Sequence, residues 1–120
     1  MFALRGATTV ERNVAAEIEE AGGRLLRALV EANSIGAEHL VSAVFTCTPD
    51  LDAAFPATGA RKAGFDGLAM LCATEMAVPG APAHVVRVLL HVNGQPAAGG
   101  PRHVYLGGAR VLRPDWAGAD

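Results

Sequence analysis

Apolar residues along this chain follow two rhythms, and the switches between them outline a fold. Val14, Ile18, Ala21, Leu25 and Leu29 recur at spacings of three and four, which places them on one face of a helix. Asn13 stands where an N-cap is wanted, and Asn33 with Gly36 supplies the stop. Gly22 and Gly23 interrupt this helix at a cost of about 1 kcal/mol each relative to alanine. Small residues there predict close packing on a sheet. Elsewhere the apolar residues cluster in short β-branched runs: FALRGAT (2–8), LVSAVFTCT (40–48), GLAMLCATE (67–75) and HVVRVLLHV (84–92).

The segment from residue 48 to 64 begins rich in turn residues and then predicts a short helix from about Ala57, with Pro56 suited to its start. VPGAP (78–82) predicts a turn and NGQPAAGGP (93–101) a loop. RHVYLGGARVLRPD (102–115) predicts a final short strand or hairpin, before a flexible tail from about residue 114. The order is strand, long helix, strand, short helix, then three strands. It predicts one α+β domain over residues 1–120: a mixed sheet covered on one face by one long and one short helix.

Composition changes this picture in one respect. Of the 120 residues, 51% are hydrophobic and 18% charged, and the mean hydropathy is +0.27. A chain of this length buries roughly two-thirds of the surface its unfolded form exposes, so the apolar content exceeds what a monomer can hide. The second sheet face has no helix left to cover it, and self-association is expected there. A net charge of -2 without any basic run argues against nucleic acid. Cys47 and Cys72 lie in apolar segments outside any CxxC or Cys/His pattern, which argues against a zinc site or a disulfide framework. No apolar stretch approaches the ~18 residues of a membrane span, and MFALRGATTVER lacks the apolar core of a signal peptide, so a cytoplasmic protein is expected.

Two charges fall where a strand pattern does not ask for them: Arg5 in the first run and Arg87 in the fourth. A lone strand arginine ordinarily snorkels to water. Two of them in a chain with few charges carry a second meaning, because an inward-facing guanidinium needs a carboxylate from the protein or from a ligand. Glu75, at the end of the third strand, is either an ion-pair partner or an acceptor facing the same cavity. Tyr105 is either a core ring or a ligand donor. His39, His84, His91 and His103 form no paired motif and read as structural or solvated. No Ser-His-Asp set and no phosphate-binding glycine loop is evident. Any chemistry here would proceed without cofactor, metal or nucleophile.

The segments LRGATTVERN (4–13), TPDLDAAFPATGAR (48–61), LCATEM (71–76), VVRVLLHV (85–92) and RHVYLGGARVLRPD (102–115) resemble, in order, the motifs of the monofunctional α/β chorismate mutases, the trimeric AroH-like class. The resemblance covers nearly the whole chain from Leu4 to Asp115, and RGATTVE, DLxxAFPAxxAR and RHVYL with VLRPD are together highly specific. It implies a pseudo-α/β-barrel homotrimer with active sites in clefts between subunits, converting chorismate to prephenate without cofactor. It also implies roles. Arg5 matches an arginine that binds a substrate carboxylate, and Arg87 the one that reaches the ether oxygen of the breaking bond. Cys72 and Glu75 match the groups around the ring hydroxyl, with Ala73 and Thr74 between them in the same substrate-contacting segment. Tyr105 matches a tyrosine at the side-chain carboxylate, Phe55 and Ala57 a cleft wall, and Leu112 an apolar contact. Arg61 and Arg113 match basic residues at the mouth. Thr58 stands where the family commonly has a lysine, which removes one positive charge from the entrance. Leu71 replaces a position that can be small and polar, and the tail after Asp115 is short.

Chorismate carries two carboxylates, and the planar guanidinium fork suits each of them. Holding both folds the enolpyruvyl arm over the ring. A fixed cation at the ether oxygen then stabilises the transition state more than the ground state. Two other readings compete: a trimeric reactive-imine deaminase, which would need a water-activating glutamate and lacks the RGATTVE and RHVYL pairing, and a non-catalytic metabolite-binding trimer. Loss of chorismate with formation of prephenate separates all three.

Overall fold

The computed structural model describes residues 1–115. Strand β1 (Phe2–Thr9) is followed by helix α1 (Ala15–Asn33), strand β2 (Leu40–Cys47) and the short helix α2 (Pro56–Ala60). A π-helical turn over Arg61–Phe65 extends α2 into strand β3 (Ala69–Thr74), and strands β4 (Val85–Val92) and β5 (Val104–Tyr105) complete the sheet before a 3-10 helix over Gly107–Leu112. All of the expected elements are present in the expected order. The tail expected from about residue 114 lies largely outside the described residues. No helix among them is long and apolar enough to cross a membrane.

The sheet is mixed, with strand order β3-β2-β4-β1-β5. Strand β4 runs antiparallel to both neighbours, whereas β2–β3 and β1–β5 are parallel pairs. Alternation along each strand divides the side chains between two faces. Leu4 of β1, Ala43 and Phe45 of β2, and Val86, Val88 and Leu90 of β4 are buried against Ile18, Leu25, Leu26 and Leu29 of α1. Full burial of each large side chain contributes about 1.5–3 kcal/mol, so this single face holds most of the core. Helices α1 and α2 lie together over it. Among the described residues the opposite face carries no α-helix; the 3-10 helix over Gly107–Leu112 packs on its β1–β5 end, with Ala109 and Leu112 against Ala7, Val85 and Tyr105.

Two local expectations differ from what the structure contains. Asn13 does not cap α1; the N-cap is Val14, which has no side-chain bond. Asn13 instead accepts the N–H groups of Asp52 and Ala53 and donates to the Asp52 carboxylate, so its side chain seats the loop before α2. Gly22 and Gly23 face α2 rather than the sheet: a Cβ on Gly22 would stand 2.0 Å from the Pro56 carbonyl oxygen. Helix α1 ends at Asn33 with Ser34 left-handed at φ 53. Asn33 itself is buried and clamps Arg102, donating to its carbonyl and accepting its N–H at 2.9 and 2.8 Å. That clamp delivers the chain to β5.

Candidate active site

Register on the face without α-helices decides which side chains can meet. Arg87 of β4 lies opposite Thr46 of β2 on one side and Ala7 of β1 on the other. Thr46 is beside Ala73 of β3, and Ala7 is beside Tyr105 of β5. One row therefore crosses all five strands as Ala73, Thr46, Arg87, Ala7 and Tyr105. Leu71, Val44, Leu89 and Arg5 form the adjacent row. Strands about 4.8 Å apart put Arg87 and Tyr105 about 10 Å from each other across the face, a span suited to a small dianion. The two rows hold two guanidiniums, and the carboxylate of Glu75 stands at their β3 end.

Glu75 continues the β2–β3 ladder by donating its N–H to the Cys47 carbonyl at 2.8 Å. Its Oε2 lies 3.2 Å from Arg87 Nε, both side chains being partly buried. The contact is an ion pair without a hydrogen bond: Arg87 Nε is buried, and its N–H points at no acceptor. The Thr46 hydroxyl donates to the same Oε2. A buried N–H left without an acceptor costs about 1–3 kcal/mol, and such a group in a native structure calls for an explanation, a catalytic role among them.

Tyr105 is 2% exposed and packs with Ala7, Val85 and Ala109, with Leu112 against them. Leu112 thus supports the tyrosine ring. Arg113 is engaged with Asp115, donating from Nε and Nη2 at 3.1 and 2.8 Å. The backbone N–H of Arg5 donates to His103 Nδ1 at 3.0 Å, a cross-strand bond at the point where β5 begins. That nitrogen must be unprotonated to accept. Burial, with the Arg5 and Arg113 cations beside it, holds the His103 pKa below its usual 6.5. The sign follows: the unfolded chain takes up the proton first, so stability is full above about pH 6.5 and is lost as pH falls toward the lowered value. Urea unfolding at pH 7.5 and 5.5 should show that loss. His103→Asn, whose Oδ1 can accept the same N–H, should flatten it.

The remaining expected site residues fall elsewhere in the protomer. Cys72 pairs with Phe45, so its thiol faces the helices and packs against the core. Because Glu75 N–H points toward β2, alternation turns the N–H and C=O of Cys72 outward, to the free edge of β3. Its main chain, not its sulfur, is what a ligand could reach. Thr74 is exposed at the strand end beside Cys47. Burial pushes the Cys47 thiol up to about 11, with Cys72, Glu75 and Asp50 adding to the shift, so it is no nucleophile. Ala57 is buried as part of the core. Phe55 is 66% exposed at the start of α2, and Arg61 donates to the Thr58 hydroxyl at 3.2 Å on the same helix. Phe55, Ala57, Thr58 and Arg61 belong to the helical layer, and Arg5, Arg87, Glu75 and Tyr105 to the opposite face of the sheet. Within one protomer the two groups do not meet.

Two residues at this site escaped the sequence reading. Thr46 looked like any strand threonine, and only the β2–β4 register places it against Arg87. His103 carried a weak signal, its position two residues before Tyr105, just ahead of the strand that runs parallel to that of Arg5.

Comparison with known proteins agrees over almost the whole chain. A family profile described as chorismate mutase type I matches residues 1–116. Chorismate mutase AroH from Thermus thermophilus is 43% identical over 93% of this chain and 93% of its own length. The Bacillus subtilis (strain 168) protein of the same name is 39% identical over 93% of this chain and 89% of its own. Among solved structures, a chorismate mutase from Clostridium thermocellum superposes with a TM-score of 0.89 at 44% identity, covering 93% of this chain and all of that one.

Proposed function

The chain belongs to the chorismate mutase type I family and is a chorismate mutase; from that premise, we propose that its active site is the sheet face without α-helices of one subunit, closed by the helical layer of the next. The same findings set aside the imine-deaminase reading. Arg87 is the group at the ether oxygen, and Arg5 from the adjacent row binds carboxylate together with Tyr105. Glu75 and the main chain of Cys72 hold the ring hydroxyl, with Ala73 and Thr74 lining that end. Phe55, Thr58 and Arg61 come from the neighbouring copy, with the main chain at Ala57 behind them, and Arg113 stands toward the mouth behind Leu112.

The chemistry asks little more than this. Chorismate breaks one C–O bond and forms one C–C bond within a single molecule, so no nucleophile and no proton transfer is required. Two carboxylate anchors select the folded conformer from a flexible population. Negative charge then grows on the ether oxygen as its bond lengthens, and a rigid guanidinium beside it gains in the transition state what it does not gain in the ground state. The observation that carries the reading is the Arg87 Nε–H: buried, beside a carboxylate it does not bond, and directed at no acceptor.

A homotrimer is the proposed assembly and the cytoplasm the proposed location. Exposed Leu71 (71%) and Leu89 (38%) lie on the uncovered face beside the arginines, and β3 is an exposed sheet edge; closed symmetric association buries both. The test is sedimentation equilibrium combined with chorismate turnover across the same concentration range. A trimer whose specific activity falls on dilution into monomers supports the proposal. A fully active monomer would overturn the shared site.

A further inference from the structure

We propose that Thr46 is a positioning residue that holds Glu75 so that Arg87 stays available to substrate. The inference rests on the reading above, in which Arg87 and Glu75 touch chorismate. An arginine and a glutamate this close would ordinarily settle into a hydrogen-bonded or bidentate pair, the geometry in which both are strongest. Here they do not. The Thr46 hydroxyl donates to Glu75 Oε2, the oxygen that Arg87 Nε approaches to 3.2 Å. The Nε–H is left buried and without an acceptor.

Topology explains how Thr46 does this. It is in direct register with Arg87, on the strand between β4 and β3. Glu75 is fixed on the far side by its N–H bond to Cys47, the residue after Thr46. The hydroxyl thus reaches the carboxylate along β2 while the guanidinium reaches it from β4. With that oxygen already accepting a bond, the carboxylate is turned away from full capture of the Arg87 fork, yet remains near enough to balance its charge. Removing the hydroxyl frees Glu75 to rotate onto Arg87 and take the N–H that the breaking C–O bond needs.

Thr46→Val removes the hydroxyl, keeps the shape, and suits a strand. It should lower kcat roughly ten- to hundredfold with a smaller change in KM, as displacement of a preorganised group does. Thr46→Ser, which keeps the donor, should restore most of the lost turnover. In a Glu75→Ala background, Thr46→Val should add little, because its action passes through the carboxylate. Wild-type kcat in Thr46→Val, equal loss in the Ser and Val variants, or a full additional loss without Glu75 would each overturn the inference. Arg87→Ala is measured alongside. Near-normal turnover in that variant would overturn the site reading and this inference with it, whereas an impaired Arg87→Ala beside a wild-type Thr46→Val sinks this inference alone.

Discussion

Arg87→Ala should convert chorismate at least about a hundredfold more slowly than the wild type, since loss of one preorganised donor to developing charge typically costs roughly 10²–10³ in rate. The loss should fall on kcat as well as kcat/KM, because the interaction strengthens as the ether bond opens. Folding should be almost untouched. Arg87 is partly exposed and its ion pair with Glu75 lacks a hydrogen bond, and such a pair contributes little to stability. An unfolding midpoint within a few degrees of wild type, with unchanged assembly, distinguishes loss of a catalytic group from loss of structure. Arg87→Lys keeps the charge without the planar fork and should fall between the two.

Gly59→Ala should be the most damaging single methyl in the protein. A Cβ at Gly59 would lie 1.6 Å from the Glu19 carbonyl oxygen, and the obstruction is helix backbone that no rotamer change can clear. Helices α1 and α2 must separate to admit it, and both bury side chains in the same core. Overpacking of this kind costs about 1–3 kcal/mol where side chains can adapt, and the backbone contact here places the expected loss at or above the upper end. For a domain of this size that lowers the unfolding midpoint by about 10 °C or more. Gly67→Ala, where an added Cβ meets nothing within 4 Å, is the control and should change the midpoint little. Equal midpoints for the two variants would show that the α1–α2 contact is softer than its geometry indicates.

The element order was legible because each element carries its own period. The α1 stripe repeats at three and four, and the strands are short β-branched runs bounded by Pro and Gly. The face opposite α1 and α2 was legible as well, through Arg5 and Arg87: charges the core cannot accept mark the side that α1 and α2 leave uncovered. What escaped depends on register, which no single strand contains. The run GLAMLCATE is nearly apolar throughout, so its pattern does not say that Leu71 and Ala73 share the face of Arg87 while Cys72 turns to the core. Thr46 acquires its meaning only from the pairing of β2 with β4. Ala57, like Gly22, is read correctly only once α2 is known to lie on α1. Asn13 looked like a cap because it precedes an amphipathic stripe, but a loop 39 residues away offers its side chain both acceptor and donor partners at once. Local signals mark elements; partners at a distance assign the side chains at their ends.

The central claim is that one subunit's open sheet face and another's helical layer make each active site. Mixing two impaired variants tests it most directly: Arg87→Ala, defective on the sheet face, and Arg61→Ala, defective on the helical layer. Each is refolded alone and then together in equal amounts, and kcat/KM for chorismate is measured. If sites form between subunits, random assembly pairs an intact sheet face with an intact helical layer at about a quarter of the sites, and the mixture should regain about that fraction of wild-type activity. A mixture no more active than the average of its two parents would contradict the shared site.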